Sequence, residues 1–455
     1  MMLSLREAIF LAIRENPNIQ QQQLNYTLQK FNLVVAEWQF APQYTFETSA
    51  NFMKSRSSGM GTTISHEYNV QPSVSLLTPV GTQIELGSIN AETGNYNPGL
   101  SLQVIQPLMR GFGKAIVEAA LNNARDSEVI ARLNIEGTLR STVTAVIHAY
   151  LEVVMAEKRI TIDEDALKRA ELSVQQTKLF IKAGHKAENE VVTVLANVAS
   201  AQTQLETDKN NLTQSRYALL KAIGLNPNQA IYFSSLQIDS LTKKYFFLPL
   251  NEAKQRVLKN DIQYQTDQIL LRGETTRSLI TAEDNTRWQL NFTGKASTGN
   301  GAGGGQNAGV NSLMNGANQA QSISLDLQIP IDDKAAKQAV MGAKIALKEA
   351  EIALKQEKWD KETSAINGWN EVSSAKEALR FAEEAEKLQK KTYEIGYQKY
   401  LYGLIDSLEL QSAQTQLILA QQTLLNARIV YLRSLVNLDL LIGNTLNTWG
   451  IEIRL

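Results

Sequence analysis

The chain contains no cysteine among its 455 residues. This absence excludes disulfide bonds, thiolate metal sites and a cysteine nucleophile, and it is typical of proteins in oxidising compartments, where a free thiol is a liability. No run of about 18 apolar residues occurs either, so no transmembrane helix is expected. If the protein spans a membrane, it is expected to do so with strands.

Neither sign of charge is in excess. The sequence has 45 Lys and Arg residues against 46 Asp and Glu residues, which gives a formal net charge of −1. Nucleic-acid binding requires a basic excess to neutralise phosphates, so DNA and RNA are poor candidate partners. Because 43% of the residues are apolar, the chain can bury a large core and is not expected to be disordered.

Proline is rare and unevenly placed. All nine prolines lie at or before position 107, at 227 and 249, or at 330, so 108–226 and 331–455 contain none. Apolar residues recur there at helical spacing, which predicts long helices, one of them from about 114 to 181. One apolar stripe comprises Val143, Ile147, Tyr150, Leu151 and Val154, and another contains Leu417, Leu424 and Tyr431.

The sequence contains an internal duplication. The pentapeptide Ala-Gln-Thr-Gln-Leu occurs at 201–205 and again at 413–417, and the same offset of 212 pairs Gly184 with Gly396. We therefore predict two structural repeats, each with a helix, a strand region, and two long helices separated by a break. The first repeat is longer than the second before Pro107, which corresponds to Pro330 in the second repeat. We expect part of the additional residues to form a hairpin near Pro72 to Ile89.

The strand regions show alternating polarity. Tyr44, Phe46 and Phe52 face one side in the first repeat, and Ile323, Leu325, Leu327 and Ile329 do so in the second. This pattern fits a lipid-facing barrel wall, although an ordinary half-buried sheet would also produce it. Two strands per repeat give a predicted four per chain, with 55–69 and 297–320 as exposed loops. A barrel needs about eight strands or more, so chains would have to pool them, and three would supply twelve.

The ordered motifs resemble the outer membrane efflux protein family, the TolC-like outer membrane factors, over essentially the whole chain. The resemblance is carried by the opening Leu3-Ser-Leu-Arg-Glu-Ala8 with Asn16-Pro17, by the turn Gln106-Pro-Leu-Met-Arg-Gly-Phe-Gly113, and by the tips Phe180-Ile-Lys-Ala-Gly184 and Tyr393-Glu-Ile-Gly396.

The resemblance implies a mainly α-helical protein with a membrane β-barrel: a homotrimer whose twelve-stranded barrel in the outer membrane continues as an α-helical barrel through the periplasm. It would export substrates, in multidrug efflux or type I secretion, from an inner-membrane transporter through a periplasmic adaptor. The expected boundaries are a first repeat over 1–223, an equatorial connector over 224–247, a second repeat over 248–440 and a C-terminal equatorial segment over 441–455. The N-terminus lacks the apolar stretch of a signal peptide, which we expect to have been removed.

The resemblance also implies site residues. In the family, acidic residues after the second tip glycine narrow the periplasmic mouth, and the matching positions here are Asp406 and Glu409. In a trimer they would form a ring of carboxylates that attracts cations. Glu409 replaces the usual Asp, the spacing from Gly396 is about four residues longer than usual, and solvated surface carboxylates remain an alternative. Gly184 and Gly396 would mark the hairpin tips where the adaptor docks, or would only permit positive φ at a helix break.

Other motifs do not indicate catalysis. Gly299–Gly304 satisfies G-x-G-x-x-G, but a polar glycine-rich loop follows it where a dinucleotide site needs a helix N-terminus. His66, His148 and His185 lie far apart without carboxylates at ligand spacing. We therefore predict no enzyme activity, no cofactor and no metal site. The alternative from another class is a soluble coiled-coil scaffold or interaction protein.

Overall fold

The computed structural model describes residues 2–57, 61–91, 97–229, 232–233, 241–242, 244–245, 247–299, 314–316 and 318–452. The protein is mainly helical, with about 70% of its residues in helices, and it has a six-stranded and a two-stranded sheet. Within the described ranges, no helix has both the length and the apolar character that a bilayer-spanning helix requires.

The helices agree with the proline distribution. Those discussed below are α1 (Leu5–Glu15), α2 (Pro17–Trp38), α3 (Lys114–Val117), α4 (Ala119–Lys182), α5 (Glu190–Ile223), α6 (Leu250–Asn260), α7 (Ile262–Leu270), α8 (Thr276–Asn285), α9 (Lys334–Leu401), α10 (Ser407–Leu441) and α11 (Thr445–Trp449). The predicted long helix from about 114 to 181 is confirmed as α3 and α4, which are interrupted only at Glu118.

The chain divides into two compact units. Unit 1 comprises 1–24, 133–265 and 356–455, and unit 2 comprises 25–132 and 266–355. Unit 1 begins with the two-stranded parallel sheet, in which β1 (Met2–Leu3) pairs with β6 (Tyr232–Phe233). Ser4 then starts α1 through a capping box, because its hydroxyl accepts from the Glu7 backbone while the Glu7 carboxylate accepts from the Ser4 N–H at 2.8 Å.

The core of unit 1 contains the predicted apolar stripe of α4. Its members Val143, Ile147, Tyr150, Leu151 and Val154 are at most 3% exposed. The second predicted stripe is only partly correct, because Leu417 is buried while Leu424 and Tyr431 are half-buried. The neighbouring residues Leu425 and Leu432 occupy the core instead. A straight helix with 3.6 residues per turn drifts away from a strict seven-residue repeat, which explains this change of face.

Unit 2 contains the six-stranded antiparallel sheet. Its strands are β2 (Gln43–Ser57), β3 (Gly61–Leu77), β4 (Gln83–Ala91), β5 (Asn97–Pro107), β7 (Gln289–Gly299) and β8 (Ala320–Gln328), in the order β2-β3-β4-β5-β7-β8. Pairing of β5 with β7 joins the strands of the two predicted repeats, with Gly99 opposite Gly299 and Pro107 opposite Asn291. Strands β2 and β8 form the two edges of the sheet.

The prediction of four strands per chain is wrong, because the sheet contains six. The additional strands come from the predicted hairpin near Pro72 to Ile89, which is present. Ser73 pairs with Gly87 and Leu77 with Gln83, and β4 then pairs along its length with β5. The turn closes through a hydrogen bond from Thr78 N–H to the Thr82 carbonyl at 2.9 Å. Gly81 has φ +96° there, and a Cβ would lie 2.7 Å from the Gly111 carbonyl oxygen, so this turn requires glycine.

The predicted loops are also partly corrected. The segment 55–69 was expected to be an exposed loop, but 55–57 and 61–69 continue β2 and β3 and pair from Ser55 with Thr63 to Ser49 with Asn69. Ile64 and Tyr68 alternate with polar residues on β3, so this strand begins earlier than expected. Of the predicted loop 297–320, the ends belong to β7 and β8, and 300–313 and 317 lie outside the described residues.

Unit 2 also contains an irregular turn between α7 and α8. Residues Leu271–Thr275 form a π-helical turn, which widens the helix locally. Gly273 is buried in this turn, and the Arg277 guanidinium beside it donates to Asn123 at 2.6 Å and forms an ion pair with Asp126. The turn is therefore packed against polar side chains of α4.

Candidate functional site

The first helix break lies where the sequence predicted it. Helix α4 ends at Lys182, and Gly184 has φ +75°. The Gly184 N–H donates to Ile181 at 3.0 Å, and the His185 N–H donates to Phe180 at 2.9 Å. These bonds satisfy the last carbonyls of the helix in the manner of a glycine C-terminal cap. Gly184 therefore permits the break by its left-handed conformation.

The second break is displaced from its predicted position. Gly396 lies inside α9, which continues to Leu401, and the left-handed residue is Gly403, with φ +71°. The Leu404 N–H donates to the Lys399 carbonyl at 2.9 Å, which repeats the bond found after Gly184. The prediction that Gly396 marks the second tip is therefore wrong, and Gly403 occupies that position.

The surroundings of Gly396 explain why the helix does not end there. A Cβ at Gly396 would meet Ala413 and Ile405 at ordinary contact distances of 3.9 Å, so the position has neither positive φ nor exceptional crowding. Glycine in a helix lowers helix propensity without forcing a break. Tyr400, which follows it in α9, is fully buried, and this packing extends the helix beyond Gly396.

Tyr400 is the central residue of the paired tips. Its hydroxyl lies 2.8 Å from that of Thr177 on α4, its ring meets Phe180 edge-on at 5.7 Å, and the Lys186 ammonium lies 4.4 Å from the ring centroid. The last contact has the geometry of a cation–π interaction. These contacts fasten the end of α9 to the α4–α5 tip.

A charged cluster continues this contact toward the start of α10. Lys186 forms an ion pair with Glu190 at 2.9 Å, and the buried Ser407 hydroxyl donates to the same carboxylate at 3.1 Å. A cleft of about 610 Å³ lies beside the cluster. Its lining residues are Phe180, His185, Lys186, Glu190 and 401–406. The tips therefore present a recessed surface that carries both charges and exposed apolar groups.

The predicted gate residues lie next to this cleft. Asp406 is the N-cap of α10, and its carboxylate accepts from the Glu409 N–H at 2.8 Å. Glu409 lies in the first helical turn, and both side chains are exposed. Acidic groups at these positions are stabilised by the partial positive charge of the helix N-terminus. The structure thus accounts for both residues as capping groups, and a gating role stays a prediction.

Sequence reasoning missed Lys186, Glu190 and Tyr400. Tyr393, Tyr397 and Tyr400 follow one another at spacings of four and three residues, which places them on one helix face and could have indicated a contact surface. The charged pair gives a weaker indication, because Lys186 and Glu190 are also four residues apart. Their common contact with Ser407 depends on the fold.

The described residues show no cluster of His, Cys, Asp and Glu side chains able to hold a metal ion. His148 is half-buried and hydrogen-bonded to Asn437 at 2.8 Å, and burial lowers the pKa of its imidazole despite that bond. His185 is exposed beside the tip, as expected for a surface residue.

Comparison with known proteins agrees with this architecture. The family model described as "Outer membrane efflux protein" matches residues 8–225 and 282–444. The comparison with curated proteins finds no match. Solved structures with a similar fold include the outer-membrane channel OprN, with a TM-score of 0.72 at 14% identity, covering 97% of this chain and 90% of that one.

Two further channels have comparable folds. The open state of the Neisseria gonorrhoeae MtrE outer membrane channel gives a TM-score of 0.71 at 17% identity, over 97% of this chain and 89% of that chain. The Vibrio cholerae outer membrane protein VceC gives 0.68 at 14% identity, over 99% and 97%. With the family match extending over most of the chain, this protein belongs to the outer membrane efflux protein family, whose members are outer-membrane channels that extend into the periplasm and are not enzymes.

Proposed function

We propose that three copies of this chain assemble into a channel that exports substrates across the outer membrane, and that the assembly works with a periplasmic adaptor and an inner-membrane transporter. The observation that carries the proposal is the pair of open edges of the six-stranded sheet. Among the strands that the structure describes, β2 and β8 each pair on one side only. Unpaired strand edges expose a row of backbone donors and acceptors and favour pairing with another chain.

The side chains of the edge strands support this assembly. Tyr44 and Phe46 on β2 are 78% and 72% exposed, and Ile323 on β8 is 77% exposed. Large apolar side chains at this density on one chain indicate a surface that another copy or lipid covers. Export through a lumen requires no cofactor.

Strand direction makes closure between copies possible. Because all six strands are antiparallel to their neighbours, β2 and β8 run in opposite directions. The β8 edge of one copy can therefore join the β2 edge of the next as an antiparallel pair, and three copies close a ring without free edges. With six strands in each chain, three copies supply eighteen strands in place of the expected twelve.

Engineered cysteines test the ring directly, because the natural chain has none. Tyr44→Cys would be combined in turn with Ile323→Cys, Leu325→Cys and Leu327→Cys, and the purified protein oxidised. We expect at least one combination to give covalent dimers and trimers on denaturing gels. Val104→Cys with Tyr44→Cys is the matched control, because β5 is paired on both sides within its own chain. A monomeric product for every combination would contradict the ring.

The acidic residues at the start of α10 are proposed to form the periplasmic constriction. Three copies would bring the carboxylates of Asp406 and Glu409 together around one axis and favour cations in the lumen. The test is single-channel conductance of Asp406→Asn with Glu409→Gln, since asparagine retains N-cap capacity while removing the charge. We expect lower cation selectivity and larger conductance. Glu188→Gln, an exposed acid on the other tip, is the control, and unchanged selectivity in the double variant would remove the constriction from the proposal.

The adaptor is proposed to dock at the tips around Gly184 and Gly403. The cleft beside Lys186 and Glu190 supports this placement, because it offers charged and apolar groups together on an exposed end of the helical hairpins. We also propose the boundaries that the sequence predicts, with repeats over 1–223 and 248–440, a connector over 224–247 and a C-terminal equatorial segment over 441–455. The test of this docking surface is binding of a soluble adaptor to detergent-purified trimers. It compares the wild type with the double variant Tyr402→Ala and Leu404→Ala. Undiminished binding by the double variant would exclude it.

A further inference from the structure

Two buried carboxyl groups from different helices meet inside unit 1. Asp163 on α4 and Asp208 on α5 are each 3% exposed, and their side chains are in hydrogen-bonding contact. Two carboxylates cannot hydrogen-bond to each other, because each offers only acceptors. The contact therefore requires a proton on one of the two groups, or another cation between them.

The neighbouring groups identify which carboxyl holds the proton. Asp208 accepts from the amides of Gln204 and Asn211, at 3.1 Å and 2.9 Å, so both of its oxygens already act as acceptors. Among the described residues, no amide donates a hydrogen bond to Asp163, and its buried Oδ2 accepts none. The arrangement fits a protonated Asp163 that donates to an ionised Asp208.

Within the described part of the chain, Arg159 on the same helix as Asp163 is the cation that interacts with both carboxyl groups. Asp208 is the ionisable group that α5 directs at Asp163. Helix α10 contributes only uncharged side chains to the cavity beside Asp163, and they are Gln411, Gln414, Thr415, Ile418 and Gln422.

A cavity gives this pair access to water. It has a volume of about 310 Å³ and lies between α4, α5 and α10, with Asp163 in its wall. Both copies of the duplicated pentapeptide contribute to it, through Ala201 and Gln204 from the first and Gln414 and Thr415 from the second. The duplicated motif thus forms a polar cavity through which a proton can exchange with solvent.

We propose that Asp163 and Asp208 form a proton-binding site that couples the packing of α4 on α5 to pH. In the protonated state one hydrogen bond joins the two helices, and after proton loss two buried carboxylates repel each other. The site lies within unit 1 and depends neither on trimer assembly nor on the proposed export function.

The ionisation of the pair agrees with this geometry. Burial and the neighbouring Asp208 raise the pKa of Asp163 to about 7. For Asp208, burial favours a higher pKa, but hydrogen bonds from Asp163, Asn211 and Gln204 outweigh it and bring the pKa below its usual value. One proton is therefore shared by the pair in the range where most free carboxyl groups are ionised.

The direction of the pH effect follows from proton binding. Between the ordinary pKa of 3.8 and about 7, the folded chain holds a proton at Asp163 that the unfolded chain has released. The stability contributed by the protonated pair is therefore present at low pH, is lost as pH rises through this window, and is constant above it. Across the window, the ratio of folded to unfolded chain falls by up to about tenfold per pH unit.

The test compares thermal unfolding of the detergent-purified wild type with that of Asp163→Asn from pH 4 to 9. Asparagine can donate to Asp208 without a proton from solvent, so we expect the wild type to lose stability relative to the variant between about pH 4 and 7. Asp165→Asn, an exposed neighbour on α4, is the control and should parallel the wild type. Parallel profiles for wild type and Asp163→Asn would overturn the proposal.

Two measurements on the wild-type protein keep the proposal testable if Asp163→Asn does not fold. Infrared spectra of the intact protein with isotopically labelled aspartate should show a protonated carboxyl group at pH 6 that titrates near 7, and its absence would refute the shared proton. Addition of Ca²⁺ or Mg²⁺ at pH 7 should not raise the unfolding temperature more for wild type than for Asp208→Asn. A larger rise for wild type would assign the site to a metal ion and overturn the proposal.

Discussion

The hydroxyl groups of Thr177 and Tyr400 lie 2.8 Å apart, although 223 positions separate them in the sequence. Both residues are fully buried, and Thr177 also donates to the Ser173 carbonyl at 2.8 Å. This contact joins the end of the first long helix to the end of α9. The tips are therefore held together by specific side chains as well as by the loops that cap them.

Removing the Tyr400 hydroxyl should loosen this junction. Tyr400→Phe loses one buried hydrogen bond while Thr177 keeps its bond to Ser173, so we expect a cost of about 1 kcal/mol. Tyr400→Ala also leaves a cavity and should cost about 3–5 kcal/mol. Hydrogen exchange of amides 177–190 measures both changes. Tyr402→Phe is the control, because its side chain is 78% exposed, and equal protection in all variants would contradict the prediction.

The two glycines near the second tip should respond in opposite directions. Gly403→Ala places a Cβ at φ +71°, which costs about 1–2 kcal/mol. Gly396→Ala replaces a helical glycine whose new Cβ would make only ordinary contacts, and it should gain up to about 1 kcal/mol. Limited proteolysis at the tip measures the difference. If Gly396→Ala were the more susceptible variant, the break would lie at the position the sequence first suggested.

The π-helical turn offers a similar comparison in unit 2. A Cβ on Gly273 would overlap the Asp126 carboxylate and lie 2.7 Å from the Arg277 guanidinium, so Gly273→Ala should break their ion pair and lower the unfolding temperature. Gly342→Ala lies in α9 with no atom within 4 Å of the new Cβ and should be neutral or stabilising. Equal unfolding temperatures for the two variants would show that the turn adapts without cost.

Another buried carboxyl group predicts a pH effect near the C-terminus. Burial raises the pKa of Asp439, although its carboxylate accepts from Asn444 at 3.2 Å and Thr448 at 3.1 Å. Its stabilising contribution is therefore largest at low pH and is lost as pH rises above the ordinary value of 3.8. Asp439→Asn should remove this loss in thermal unfolding measured against pH. An unaltered profile would mean that Asp439 ionises in the folded protein as it does in the unfolded chain.

The sequence predicted the elements that depend on local periodicity. Val143 and Ile147 were placed in the core because apolar spacing reports the buried face of a helix directly. The strand count failed because the predicted hairpin pairs along β5 and so joins the main sheet, which the local pattern of residues does not show. Gly396 and Gly403 show the same limit, since the choice between them depends on the burial of Tyr400. The proximity of Asp163 and Asp208 depends on how α4 packs against α5.

The free edges of the sheet also bear on the time between synthesis and assembly. In the proposed assembly, a chain that has not yet met other copies offers both edges to any strand, so closure of the ring competes with aggregation, and the outcome depends on chain concentration. Polar residues restrict which strands can add: Lys54 and Arg56 are exposed on β2, and Asp326 is exposed on β8. A strand that placed like charges directly opposite these side chains would pair less favourably. The charged side chains of the edges therefore limit disordered self-association before the proposed ring closes.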